Sequence, residues 1–141
     1  VAVLADARTG AERGRGEGGP SNLQAVGVEA ALRELDAAVA GAFASAGVRR
    51  SPVASAVLGL AGVDLSEGTD VIRGWADRVR LADEVSVAND ATLLLAAGTP
   101  DGWGLAVIAG TGSIAFALDP QGNDARAGGW GYLLGDEGSA F

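Results

Sequence analysis

Between Val53 and Leu60 the chain reads V-A-S-A-V-L-G-L, apolar almost throughout, with a helical pattern on either side of it. A strand apolar at both odd and even positions is expected where both faces are covered, as in a parallel sheet flanked by helices. This one run directs the whole chain towards α/β order.

The neighbouring segments agree. A helix is predicted from about Leu23 to Ala46, because Val28, Leu32, Leu35, Val39 and Phe43 recur at spacings of four, three, four and four and form one apolar stripe. Gly47 stops it. A second helix is predicted over Ser66 to Arg80, with Ile72, Trp75, Ala76 and Val79 inward. Its acids, Glu67 and Asp70, lie near the start and its bases, Arg78 and Arg80, at the end, as the helix dipole favours. Ahead of these, Val1 to Ala7 and the polar Glu12 to Glu17 form an expected hairpin around Arg8-Thr9-Gly10. Behind them, Glu84 to Ala88 reads as a short strand, and Asn89-Asp90 opens a third helix through Ala97. Strands at Leu105 to Ala109 and Ile114 to Leu118 then turn on G-T-G-S, and Pro120 to Asp124 is a further turn. The order is hairpin, helix, strand, helix, strand, helix, with parallel pairing expected after the hairpin. Glycine-rich hairpins begin at Thr99 to Gly102, and the domain boundary is expected there.

Composition narrows the chemistry. The chain has 141 residues, no cysteine and no histidine. Thiolate zinc sites, iron–sulfur clusters and His-based acid–base catalysis are therefore excluded within it, and any base is Asp or Glu. All ten cations are arginine, so a phosphate-gripping lysine is absent too. A net charge of −8 disfavours nucleic acid as a partner. No apolar run is long enough to span a bilayer, and V-A-V-L-A-D-A-R-T-G lacks the basic region of a secretory leader, so a cytoplasmic location is expected.

Four segments could carry a reaction. In I-A-G-T-G-S, Gly110 and Gly112 let backbone N–H groups converge on an anion, and Thr111 and Ser113 add hydroxyl donors; an ordinary hairpin turn explains the same residues. Asp90 in V-A-N-D follows a strand and opens a helix, where α/β sheets bind ligands; helix capping is the competing and compatible role. In G-G-P-S-N, Ser21 or Asn22 would cap the long helix, while the Asn22 amide also suits a sugar hydroxyl. Lastly, A-G-G-W-G-Y-L-L-G-D-E-G-S-A-F puts five glycines, a tryptophan and two carboxylates into fifteen residues. Glycine loses the most entropy on ordering, so that density implies close backbone approach to a ligand.

Taken together, G-G-P-S-N, L-G-L-A-G-V-D, V-A-N-D, I-A-G-T-G-S-I-A-F and R-A-G-G-W-G-Y-L-L-G-D-E-G-S-A-F resemble, in order and spacing, the N-acetylglucosamine kinase family. That family lies within the BadF/BadG/BcrA/BcrD ATPase group, in the actin-like, sugar-kinase and Hsp70 superfamily. The resemblance implies an α/β, ribonuclease-H-like lobe over residues 1–101, lacking its first strand, and the start of a second such lobe over 102–141. It implies ATP and Mg²⁺ as cofactors and an amino sugar as substrate. Asp90 would take the proton from the sugar 6-hydroxyl. Gly110, Thr111, Gly112 and Ser113 would hold the ATP phosphates. Asn22, Gly129, Trp130 and Asp136 would contact the sugar.

The family's first phosphate loop, Asp-x-Gly-Gly-Thr, with its Mg²⁺-holding Asp, would precede Val1, and the adenosine site would follow Phe141. The chain thus reads as part of a kinase, homodimeric when full length, and no metal ligand is assigned within it. Glucosamine or another hexose is the alternative substrate. A BadF-type ATPase and a non-catalytic sugar-sensing module are the alternative classes.

Overall fold

The structure is a computed structural model and describes residues 1–61, 63, 66–110 and 113–129. It divides into two compact units, Val1–Ala88 and Asn89–Phe141. The second begins ahead of the compositional shift at Thr99 to Gly102, because the helix opened by Asp90 packs on the strand that follows it.

In the first unit, β1 (Ala2–Ala5) and β2 (Glu12–Gly16) pair antiparallel, from Ala2 opposite Gly16 to Ala5 opposite Glu12. The Asp6 carboxylate builds the turn. It accepts from the Arg8 and Thr9 N–H groups at 3.1 and 3.0 Å and from the Thr9 hydroxyl at 3.1 Å. The Arg13 guanidinium, with these donors behind it, holds the Asp6 carboxyl below its ordinary value of 3.8. A lowered folded-state value stabilises the turn above that pH, and the contribution disappears as pH falls through it. Amide exchange at Arg8 and Thr9 is therefore expected to quicken, relative to free-peptide rates, below about pH 4. The loss should be small, because the turn is solvent-exposed and salt screens it. Unchanged protection at pH 2 would remove Asp6 from this role.

The long helix predicted over Leu23 to Ala46 is two helices, α1 (Leu23–Val26) and α2 (Val28–Ser45). Gly27 separates them with φ of 80°, outside any helical backbone. The buried face of α2 also differs from the predicted stripe. Ala31, Ala38, Ala42 and Phe43 are buried, while Val28 is 46 % exposed. The reason lies in β2, whose Gly14 and Gly16 sit against this helix. A Cβ on Gly14 would meet the Ala42 carbonyl, and one on Gly16 the Ala38 carbonyl. Gly18, just beyond, is in the same position over the Glu34 carbonyl. Alternate glycines give the strand a face with no side chains, and alanine gives the helix the matching one.

Leu32, Leu35 and Val39 of α2 turn instead to a core of Trp75, Ala76 and Leu81, joined by Ala56, Leu58, Val79 and Val85. Trp75 and Ala76 come from α3 (Ser66–Arg78), whose predicted inner face is borne out: Ile72, Trp75 and Ala76 are at most 3 % exposed. β3 (Val53–Leu60) and β4 (Ala82–Asn89) form a two-stranded sheet. The Val53 N–H donates to the Leu81 carbonyl at 3.1 Å, which sets the strand starts side by side, so the two run parallel as expected. The expected burial of β3 on both faces is not observed. Ala56 and Leu58 are covered, but Val57 is 61 % exposed, because helices cover only one face.

β1 and β3 belong to separate sheets and are not hydrogen-bonded to each other. An apolar cavity of about 300 Å³ lies between them, lined by Val3 and Ala5 of β1, Val39 and Phe43 of α2, and Ala54 and Ala56 of β3.

The second unit holds α4 (Asp90–Gly98) and an antiparallel sheet of β5 (Gly104–Ala109), β6 (Ser113–Leu118) and β7 (Asp124–Gly128), in that order. β7 was not expected from the sequence, where Asp124 ended a turn. Its pairs with β6, from Ile114 opposite Gly128 to Leu118 opposite Asp124, supply the order that its weakly apolar D-A-R-A-G lacks. Ala91 and Leu95 of α4 pack on Ala106, Ile108, Phe116 and Leu118. Among the described residues no helix is long and apolar enough to cross a membrane.

Candidate functional site

Asp90 is the first residue of α4, and the sequence left its role between cap and reactive group. The cap is Asn89. Its side-chain Oδ1 accepts from the Ala91 N–H at 2.8 Å, with Asn89 itself in an extended conformation. Asn and Asp suit an N-cap equally well, and the side chain that reaches back over the first turn is the one just outside the helix. The Asp90 carboxylate, in the first turn, is favoured there by the helix dipole without being needed as a cap. Asn89→Ala is therefore expected to cost about 1 kcal/mol of stability. Chemical denaturation measures it, and a loss under about 0.3 kcal/mol would mean that α4 starts without this cap.

The packing of α4 shows where Asp90 lies. A Cβ on Gly104 would meet Thr99 Cγ2 at 3.6 Å and Leu95 Cδ2 at 3.8 Å, so the helix end lies beside the start of β5. The helix therefore runs antiparallel to β5, and its N-terminus points towards the end of the sheet where β5 turns into β6. From Leu95 back to Asp90 the helix rises about 7.5 Å, whereas β5 extends about 16 Å, which leaves roughly 9 Å along the strand between Asp90 and the turn.

That turn is the G-T-G-S segment. Ala109 pairs with Ser113, so a three-residue connection of Gly110, Thr111 and Gly112 joins the strands. Thr111 and Gly112 lie outside the described residues. Gly128 is at the same end of the sheet, opposite Ile114, and a Cβ on it would approach the Ser113 carbonyl to 3.2 Å. Gly128 and Gly129 have φ of 74° and 71°, a left-handed pair that other residues adopt only with strain. Arg126 holds this bend: its Nε donates to the Gly128 carbonyl at 3.1 Å and its Nη2 to the Gly129 carbonyl. Sequence reasoning missed Arg126; its signal was a guanidinium two residues before a Gly-Gly pair. Trp130 and Asp136 lie outside the described residues.

Asn22 is in the first unit and is a helix cap. Its Oδ1 accepts from the Gln24 and Ala25 N–H groups at 2.9 and 3.3 Å. The amide nitrogen is the part of Asn22 left to face a ligand. Among the described residues no cluster of three or more carboxylates could hold a metal ion, so these residues alone do not form a Mg²⁺ cage.

In the second unit, then, a carboxylate at a helix start, a glycine turn between two strands and a clamped Gly-Gly bend share one end of a small sheet. This is the constellation of a phosphate-handling α/β protein. The chain belongs to the BadF/BadG/BcrA/BcrD ATPase family, whose model matches residues 1–141.

The N-acetylmuramic acid/N-acetylglucosamine kinase of Clostridium acetobutylicum is 33 % identical over 123 residues, covering 87 % of this chain and 40 % of that protein. The N-acetyl-D-glucosamine kinase of Dictyostelium discoideum is 37 % identical over 92 residues, covering 63 % of this chain and 28 % of that protein. A crystal structure from Chromobacterium violaceum, carried under the provisional name N-acetylglucosamine kinase, superposes with a TM-score of 0.68 at 36 % identity, over 92 % of this chain and 45 % of that one. The chain spans less than half the length of each of these proteins.

Proposed function

We propose that the polypeptide to which this chain contributes is an ATP-dependent kinase that phosphorylates an amino sugar, N-acetylglucosamine, at its 6-hydroxyl. The observation that carries the reading is the gathering of Asp90, the Gly110–Ser113 turn and the Gly128–Gly129 bend at one end of the second unit's sheet. The kinases named among its relatives add to it.

In this reading the 6-hydroxyl oxygen bonds to the γ-phosphorus of ATP, the bond to the β,γ-bridging oxygen breaks, and ADP leaves. Asp90 accepts the hydroxyl proton. Backbone N–H groups of Gly110 to Ser113, with the Thr111 and Ser113 hydroxyls, hold the phosphates. Asn22, Gly129, Trp130 and Asp136 take the sugar, the tryptophan face lying against its C–H face. Such a reaction asks the protein for position and charge rather than covalent help. No step is drawn through Mg²⁺ here.

The same reading makes residues 1–101 and 102–141 parts of two ribonuclease-H-like lobes in a cytoplasmic homodimer. It also assigns an occupant to the cavity between β1 and β3. A strand bearing the Asp-x-Gly-Gly-Thr loop would enter there and join the two small sheets into one. Edge strands left unpaired beside apolar residues favour such addition.

The test is a panel of N-acetylglucosamine, N-acetylmuramic acid, glucosamine and glucose, offered with ATP to the full-length polypeptide. Sugar 6-phosphate formation fastest with N-acetylglucosamine is expected, and no turnover by residues 1–141 alone. ATP hydrolysis indifferent to the sugar would overturn the kinase reading in favour of an ATPase.

A further inference from the structure

Arginines are concentrated in one place in this acidic chain. Arg49, Arg50, Arg78 and Arg80, four of the ten, lie in the two segments that lead into β3 and β4. The hydrogen bond from the Val53 N–H to the Leu81 carbonyl ties those segments together. A pocket of about 340 Å³ opens beside it, lined by Arg50, Ser51, Pro52, Val79, Arg80 and Leu81.

Two features of this pocket lack an explanation from folding alone. Arg50 Nη1 pairs with Asp36 at 2.9 Å, but its Nη2 is buried with no hydrogen-bond partner. A buried unsatisfied donor is costly, more so on a charged group. Arg80 has φ of 50°, the positive-φ non-glycine residue of the described chain, just past the end of α3. Glycine is the residue that occupies such a position without strain. Arg80 also has no salt-bridge partner among the described residues.

We propose that the pocket formed by Arg50, Ser51 and Arg80 at the starts of β3 and β4 binds a small phosphate-class oxyanion. Guanidinium forks match oxyanion geometry, and the Arg50 Nη2 would gain the acceptor it lacks. The Ser51 hydroxyl adds a donor. Asp36 offsets one positive charge, and Arg80, with Arg49 and Arg78 nearby, leaves the surroundings cationic. Apolar walls of Pro52, Val79 and Leu81 leave room for the organic part of a monoester. Ligands of a parallel sheet that take part in chemistry bind beyond the strand ends, whereas this pocket is at the strand starts, so the inference stands apart from the kinase reading.

Calorimetric titration of the chain with inorganic phosphate and with glycerol phosphate, without ATP or sugar and at constant ionic strength, tests it. Saturable binding to one site is expected, weakened about tenfold or more by Arg80→Gln and by Arg50→Lys, the scale of a lost charged hydrogen bond. Arg80→Gln keeps the exposed position and its backbone, so it leaves the fold intact, as its melting curve will show. Tighter binding of glycerol phosphate than of phosphate would mean that the apolar walls hold the ester group. Equal affinities would mean a site for the bare anion. Absence of saturable binding, or binding unaltered in both variants, would overturn the proposal and leave an adventitious ion only.

Discussion

Asp90→Asn in the full-length polypeptide is expected to lower kcat at least about 100-fold, the scale of general-base catalysis, with KM for sugar and for ATP changed little. The carboxylate and the amide have nearly the same shape, but only the carboxylate accepts a proton from the sugar hydroxyl. The melting temperature should stay close to that of the parent, because the hydrogen bond capping α4 comes from Asn89 and not from Asp90. Asn89→Ala supplies the converse, a loss of stability with a smaller effect on rate. A kcat within threefold of the parent would exclude Asp90 as the base. A large fall in melting temperature would show that its main work is at the helix start.

Gly16→Ala is expected to destabilise the first unit by about 3 kcal/mol, the upper end of what overpacking costs, and Gly14→Ala by a similar amount. The added methyl on Gly16 would stand against the Ala38 carbonyl and also close to the backbone of Gly41 and Ala42. These are main-chain atoms of a helix, so no side-chain rotation can relieve the clash and the strand must lift away from α2. Against a total stability of about 5–15 kcal/mol, that is a large share. Gly10→Ala is a useful contrast: it sits at φ of 71° with open space around it, so its cost is conformational only. Urea unfolding of the three variants separates the two effects. Equal losses at Gly16 and Gly10 would mean that the close approach of β2 to α2 contributes nothing.

Elements whose signal is periodic and local were legible in the chain. The inward face of α3 around Trp75 follows from helical spacing alone, and so does the order hairpin, helix, strand, helix, strand, helix. The absence of His and Cys left carboxylates as the available bases, and the ordered motifs pointed to the family that the match over residues 1–141 then established. What depended on distant atoms was not legible. Leu32 and Val39 looked like the main buried stripe of α2, yet the face most deeply buried is alanine, because glycines some twenty-five residues earlier lie on it. Those glycines at 14, 16 and 18 carried a readable alternation, but its meaning needed the helix. Asn89 and Asp90 were equal candidates for the cap until the backbone decided which stood outside the helix. Gly27 breaks a continuous apolar pattern by a left-handed φ that the pattern does not encode. β7 exists because β6 offers it a partner. Periodicity reports which face of an element is apolar, while close approach, capping and strand pairing are settled between residues far apart in the chain, and only the folded molecule brings those residues together.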